Sequence, residues 1–112
     1  MANLFTYGTL MDEKFMFELT GRHFEFSNGI IYGFKKFSFK MAFYPAAIPF
    51  ENASVEGKVY FNLDLDDFMK LDKYEGECYD RVKTFCQLNG GDRKVEAFVY
   101  VFKEEFYHLL VK

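Results

Sequence analysis

The hydrophobic and polar positions in the first part of the chain predict a strand, a helix and then extended segments. Residues 3–8 form a short segment with β-branched and aromatic residues that ends at a glycine, which is typical of a buried strand that enters a loop. Residues 11–19 place apolar side chains at helical spacing, and Gly21 predicts the end of this helix. Residues 23–43 are interpreted as two or three strands or strand-like arms.

The middle of the chain contains a proline-bearing segment followed by a strand and a helix. Residues 44–49 include two prolines, which remove ladder donors from a central strand, so we expect an ordered apolar loop there. Residues 55–62 predict another strand. Asp64 is a suitable N-cap for a helix that ends near residues 74–76.

The last third of the chain predicts a hairpin with a short helix after it. Residues 79–88 and 94–102 form two strong strand patterns joined by the turn sequence NGGD. Both faces of the second strand are apolar, so the sheet is expected to be covered on both sides or curled into a barrel. A short helix over residues 104–110 would cap it. The pattern predicts an α+β fold: a small mixed β-barrel with two or three short flanking helices, in one domain over residues 1–112.

The composition limits the class of protein. The chain has 112 residues, a net charge of -3 and 50% hydrophobic residues, which fits one domain and argues against nucleic-acid binding. No apolar run approaches the roughly 20 residues of a membrane span, and the N-terminus lacks the pattern of a secretory leader. Cys78 and Cys86 are too few for a disulfide framework. We expect a cytoplasmic protein without nucleic-acid or membrane partners, and its oligomeric state stays open.

The sequence lacks the familiar metal and nucleophile motifs. His23 and His108 lie outside any nucleophile motif, and the cysteines and histidines lack the close pairing of a zinc site. The acidic run at residues 64–67 superficially resembles a calcium loop, but Met69 occupies the position that needs glycine. A capped helix is the better interpretation, and no metal or cofactor is expected.

Two segments suggest chemistry beyond packing. In the segment FTYGTL (residues 5–10) a buried strand runs into a glycine, a turn that can aim backbone N–H groups into a cavity; a routine strand end is the alternative. The segment over residues 71–81 clusters carboxylates and tyrosines at a helix-to-strand junction. A carboxylate among aromatic rings would have a raised pKa and would suit acid–base catalysis, whereas solvated charges at a helix end are the alternative.

Taken together, these segments resemble the γ-glutamylcyclotransferase family, including its AIG2-like and γ-glutamylamine cyclotransferase branches. The matches occur in the order of the family and cover most of the chain. They are FTYGTL (5–10), YPAAI (44–48), VEGKVY (55–60), LDKYEG (71–76), YDRV (79–82) and FVY (98–100).

The resemblance implies a mixed β-barrel with flanking helices and a specific reaction. A γ-glutamyl amine or γ-glutamyl peptide would cyclise to 5-oxoproline and release the amine or amino acid, without a cofactor. The catalytic glutamate of the family falls at Glu75, used as general acid and base, whereas Glu77 lies outside the matching position. The implied substrate-binding loop consists of Tyr7, Gly8, Thr9 and Leu10.

Tyr79, Arg81 and Tyr100 are further candidate pocket residues. Arg81 would either pair with the α-carboxylate of the substrate or, as the favoured alternative, bridge to Asp72 or Asp80. Tyr79 and Tyr100 would either wall the pocket or fill the core.

The chain also departs from the family pattern. The interval between Glu75 and Tyr79 is short, and we expect the chain to lack the longer C-terminal portion of larger members, which leaves the leaving group open. The alternative to an enzyme is a non-catalytic module on the same fold that binds a small carboxylate.

Overall fold

A closed barrel of five strands is the centre of the structure, a computed structural model that describes residues 1–39, 45–89 and 91–111. β1 pairs antiparallel with β3 and parallel with β5, while the pairs β3–β2, β2–β4 and β4–β5 are antiparallel and complete the circle. The predicted mixed barrel of an α+β fold is confirmed. The strands are β1 (Ala2–Thr6), β2 (Phe26–Phe39), β3 (Pro45–Leu63), β4 (Tyr79–Leu88) and β5 (Lys94–Phe102), and β6 (Leu110–Val111) pairs with the far end of β2.

Two α-helices, α1 (Glu13–Thr20) and α2 (Leu65–Glu75), flank the barrel. α2 begins at a capping box, in which the Asp64 side chain accepts from the backbone N–H of Asp67 and the Asp67 side chain accepts from that of Asp64. α1 ends at Gly21, whose φ of 76° is left-handed. Within the described residues, neither helix has the length and apolar character needed to cross a membrane.

Two short 3₁₀ helices, Thr9–Met11 and Glu104–Leu109, are the other helical elements in the part of the chain that the structure describes. The first follows β1 directly and shapes the loop after that strand. The second stands where the sequence predicts a short helix over residues 104–110, and the chain then turns into β6, which the sequence does not predict.

The proline-bearing segment is a strand and not a loop over residues 45–49, so that prediction is wrong there; Tyr44 lies outside the described residues. β3 begins at Pro45, and its first residues pair with β2 from Pro45 opposite Ser38 onwards. The N–H of Ala47 donates to the Tyr7 hydroxyl at 3.1 Å and so points away from β2. Because orientation repeats every two residues in a strand, the prolines at 45 and 49 remove no donor from the β2–β3 ladder.

The prediction of two or three arms over residues 23–43 is also wrong for the described part. Residues 26–39 form one strand, β2, and residues 40–43 lie outside the described residues. The β2–β3 register shifts between Tyr32 and Phe34, and the residue between them, Gly33, has a φ of 83°. An irregularity with a left-handed glycine bends a strand without ending it, which explains how one strand can resemble two arms.

The core lies on both sides of the sheet, as the two apolar faces of the last long strand predict. On β1 the neighbours Leu4 and Phe5 are both buried but belong to different clusters, since successive side chains of a strand point to opposite faces. Phe5 packs inside the barrel, whereas Leu4 packs beneath the helices with Met16 and Phe68. This packing holds the end of α2 over the end of β1.

We expect Gly57→Ala to destabilise the fold strongly. A Cβ at position 57 would overlap the carbonyl oxygen of Thr6, a backbone atom of β1 that cannot move without breaking the barrel. The free energy of unfolding should fall by more than about 2 kcal/mol, measured by urea denaturation. Gly91→Ala is the control, because its Cβ would first meet the Arg93 nitrogen at 3.8 Å. Equal losses in the two variants would contradict this account.

Candidate active site

A cavity of about 330 Å³ opens at the end of β1. The loop after β1, the start of β3, the end of α2 and the first residues of β4 all reach it, so the two segments singled out in the sequence meet here. Its described lining consists of Phe5, Thr6, Tyr7, Gly8, Thr9, Leu10, Pro45, Tyr74, Glu75, Cys78, Tyr79 and Tyr100.

Glu75 is the last residue of α2 and the one carboxylate in the described lining of this cavity. Burial raises the pKa of the side chain from 4.5 to about 7. Among the described residues, none forms a hydrogen bond or an ion pair with this carboxylate. A carboxyl group with this pKa can both take up and release a proton near neutral pH, which is the requirement for general acid–base work.

The loop at residues 7–10 borders the cavity, and its side chains have contacts within the protein. The Tyr7 hydroxyl donates to the carbonyl oxygen of Tyr100 at 2.5 Å and accepts from the N–H of Ala47 at 3.1 Å, so it is engaged within the barrel. The Leu10 side chain is buried in the core. Thr9 is exposed, and its hydroxyl lies 3.2 Å from that of Tyr74 on α2. The side chains of the predicted loop therefore fix its shape more than they face a ligand.

Two side chains from β3 hold the carbonyl groups of this loop. The Tyr60 hydroxyl donates to the Leu10 carbonyl oxygen at 2.8 Å, and the Lys58 ammonium donates to that of Met11, also at 2.8 Å. In the described structure, no residue accepts from the N–H groups of Thr9 and Leu10. These two donors are available to a ligand, because the first N–H groups of a helical turn have no partner within it.

Gly8 is required by a close approach between the loop and β3. A Cβ at position 8 would lie 2.9 Å from Cγ of Pro45. Only glycine therefore lets the loop pack against the start of β3, and this contact closes one side of the cavity.

The three other candidate pocket residues separate into two groups. Tyr79 and Tyr100 line the cavity, whereas Arg81 is not among its described lining residues. The Arg81 guanidinium bridges to Asp72, with Nε 3.0 Å from Oδ1, so the structure shows the favoured alternative and not a free substrate-binding arginine. The Tyr100 hydroxyl donates to the same Asp72 carboxylate at 2.7 Å.

Sequence reasoning missed several lining residues. Pro45 and Tyr74 lie within segments that match the family, so a signal for them existed, but their placement at the cavity depends on tertiary packing. Cys78 lies within the segment over residues 71–81, but no motif indicates that its side chain reaches the cavity. Both cysteines are free thiols, and the described residues contain no group of three metal-ligating side chains close enough to hold an ion.

We expect Glu75→Gln to stabilise the protein at alkaline pH and not at acidic pH. Burial favours the protonated carboxyl group, so its contribution is fully present below pH 4.5 and is lost as the pH rises through about 7. The neutral amide does not titrate, so the free energy of unfolding of the variant should exceed that of the wild-type protein by on the order of 2–3 kcal/mol near pH 8. Urea denaturation of both proteins across this range measures the gain. Glu77→Gln, at an exposed site, is the control, and a gain independent of pH would contradict the argument.

Comparison with known proteins places the chain in a family. The model of the family "Gamma-glutamyl cyclotransferase, AIG2-like" matches residues 4–110. AIG2-like protein B of Arabidopsis thaliana is 31% identical over 107 residues, which are 94% of this chain and 62% of that protein. The chain thus spans less than two thirds of the length of this curated relative.

Solved structures share the fold. A solution structure of an Arabidopsis thaliana protein matches with a TM-score of 0.86 and 26% identity over 99% of this chain and 75% of that one. A solved gamma-glutamyl cyclotransferase matches with a TM-score of 0.76 and 14% identity, over 91% of this chain and 66% of that one. At that identity the likeness concerns the fold. With the family match over residues 4–110, the chain belongs to the AIG2-like gamma-glutamyl cyclotransferase family.

Proposed function

We propose that this protein is a cyclotransferase that converts a γ-glutamyl amine or short γ-glutamyl peptide to 5-oxoproline and releases the amine or amino acid. The observation that carries the proposal is the carboxyl group of Glu75, which lines the cavity. Burial raises the pKa of this group to about 7. The cavity of about 330 Å³ has the size of a small-molecule site. Membership of the family supports the class of reaction.

The reaction needs one proton carrier because the substrate contains its own nucleophile. The α-amino nitrogen attacks the γ-carbonyl carbon, a bond forms that closes the five-membered ring, and the original amide C–N bond breaks. Glu75 removes a proton from the attacking amine and delivers it to the leaving nitrogen, so the carboxylate is regenerated. Intramolecular attack of this kind gains on the order of 7–11 kcal/mol from proximity.

The loop after β1 supplies the stabilisation of the negative charge. As the nitrogen attacks, charge develops on the γ-carbonyl oxygen. The N–H groups of Thr9 and Leu10 can donate to this oxygen, and one such donor contributes about 3 kcal/mol to the stability of a transition state. Tyr60 and Lys58 support this role by donating to the carbonyl oxygens of Leu10 and Met11, which restrains the backbone of the loop.

We also propose the class of partner and the compartment in which the protein acts. The partner is a small γ-glutamyl molecule, and neither nucleic acid nor membrane takes part. The cytoplasm is the proposed location, since a reducing compartment keeps Cys78 and Cys86 as free thiols.

We expect wild-type protein to release 5-oxoproline from at least one member of a panel of γ-glutamyl amines and peptides, and Glu75→Gln to reduce kcat/KM by about 100-fold or more. Chromatographic detection of 5-oxoproline measures both. Glu77→Gln, which alters an exposed carboxylate two positions away, should retain activity. Full activity in Glu75→Gln would contradict the catalytic role proposed for this side chain. Tight ligand binding by calorimetry without any product would favour the binding module instead.

The rate should depend on pH through Glu75. The carboxylate is the active form for proton removal, so kcat/KM should rise with pH and level off above about 7, where the group is ionised. A pH profile of the wild-type protein with an active substrate measures this. A profile that is flat across this region would show that another group carries the proton.

A further inference from the structure

Three of the four tyrosine hydroxyls in the described lining of the cavity, those of Tyr7, Tyr79 and Tyr100, donate their protons to acceptors within the protein. Tyr7 donates to the Tyr100 carbonyl oxygen at 2.5 Å, Tyr79 to the Pro45 carbonyl oxygen at 3.3 Å, and Tyr100 to Oδ1 of Asp72 at 2.7 Å. A hydroxyl has one proton and two lone pairs. Each of these oxygens can therefore only accept a hydrogen bond from a ligand.

The Asp72 carboxylate that accepts from the Tyr100 hydroxyl is also paired with Arg81. Arg81 places Nε 3.0 Å from Oδ1 of Asp72 and Nη2 3.2 Å from Oδ2. The Arg81 guanidinium lies over two aromatic rings, with Cζ 4.4 Å from the centre of Phe68 and 4.7 Å from that of Phe98. These contacts restrict the acceptor, and the direction of the Tyr100 O–H bond is restricted with it.

The same arrangement brings Tyr100 close to Glu75. Asp72 and Glu75 are three positions apart on the last turn of α2, so they lie on one face of the helix. Both Tyr100 and Glu75 line the cavity. Burial raises the pKa of the Tyr100 hydroxyl, and the charges of Asp72 and Glu75 raise it further, in agreement with this proximity. The hydroxyl therefore stays protonated and keeps its bond to Asp72.

We infer that Tyr100 binds the α-amino group of the γ-glutamyl substrate as a hydrogen-bond acceptor, and that Asp72 is a positioning residue that acts through Tyr100. The inference rests on the proposed function, because the α-amine is the nucleophile there. Tyr100 accepts one N–H while Glu75 removes another proton, which leaves the nitrogen lone pair free to attack. A hydroxyl that donated to the amine would occupy that lone pair and block the attack.

The test compares two ligands on Glu75→Gln protein, in which turnover is suppressed. One ligand is an active γ-glutamyl compound, and the other is the glutaryl amide of the same leaving group, which lacks the α-amino group. Adding Tyr100→Phe should weaken calorimetric binding of the first ligand by about tenfold or more, because it removes a hydrogen bond to a charged group. Binding of the glutaryl amide should change by less than about twofold.

Asp72→Asn provides an independent variant, since an amide can donate as well as accept and so no longer fixes the direction of the Tyr100 O–H bond. Its loss of affinity should again be confined to the amine-bearing ligand and should reach about threefold or more. Tyr32→Phe, at an exposed tyrosine on β2, is the control and should alter neither affinity. Where Tyr100→Phe does not fold, as judged by urea denaturation, Asp72→Asn carries the test.

The outcomes separate the two ideas. Equal losses for both ligands, or no loss for either, would overturn the assignment of Tyr100 and Asp72 while leaving the cyclotransferase intact. Absence of 5-oxoproline from every compound with the wild-type protein would overturn the proposed function itself. In that case the binding comparison, made with a γ-glutamyl compound that binds the protein and its glutaryl counterpart, still decides whether Tyr100 recognises an amine.

Discussion

A single buried hydroxyl joins the three strands on which the candidate site depends. β1 ends at Thr6, and immediately after it Tyr7 donates to the carbonyl oxygen of Tyr100 on β5 and accepts from the N–H of Ala47 on β3. Both backbone groups belong to buried residues, so without this bridge each would lose its partner away from water. The spacing between β3 and β5 at the cavity, and therefore the shape of the cavity, depends on this bridge.

The parts of the fold that sequence could predict are those with local signals. α2 was predictable because its capping box and the glycine after it act within a few residues. The start of β3 was not predictable, because Pro45 and Pro49 fit a strand only if their missing N–H groups would point away from β2. The Ala47 N–H shows this direction by donating to Tyr7, which lies 40 positions away in the sequence. Proline disrupts a strand pair only where its missing N–H would have faced the neighbouring strand, and the sequence alone does not give that direction.

The same distinction applies to the site. Glu75 and the loop after β1 follow from motifs in the sequence, and the structure brings both to one cavity. The motif did not show that the Leu10 side chain packs in the core, since the face a residue presents depends on the packing of α1 and α2 beneath the loop. Nor did it settle the partner of Arg81, because the contact with Asp72 joins β4 to α2 and follows from their relative placement.

The position of Glu75 has an evolutionary consequence. Burial of the ionised Glu75 side chain lowers the stability of the folded protein at neutral pH. Glutamine has nearly the same shape without the charge, and one nucleotide change converts a glutamate codon to a glutamine codon. Natural sequences that drift under selection for folding alone have no reason to keep such a residue, and sites of this kind are where stability and activity conflict. The buried carboxyl group of Glu75 therefore lowers the stability of the folded protein at neutral pH, and the proposed proton transfer would offset this cost with a gain in activity.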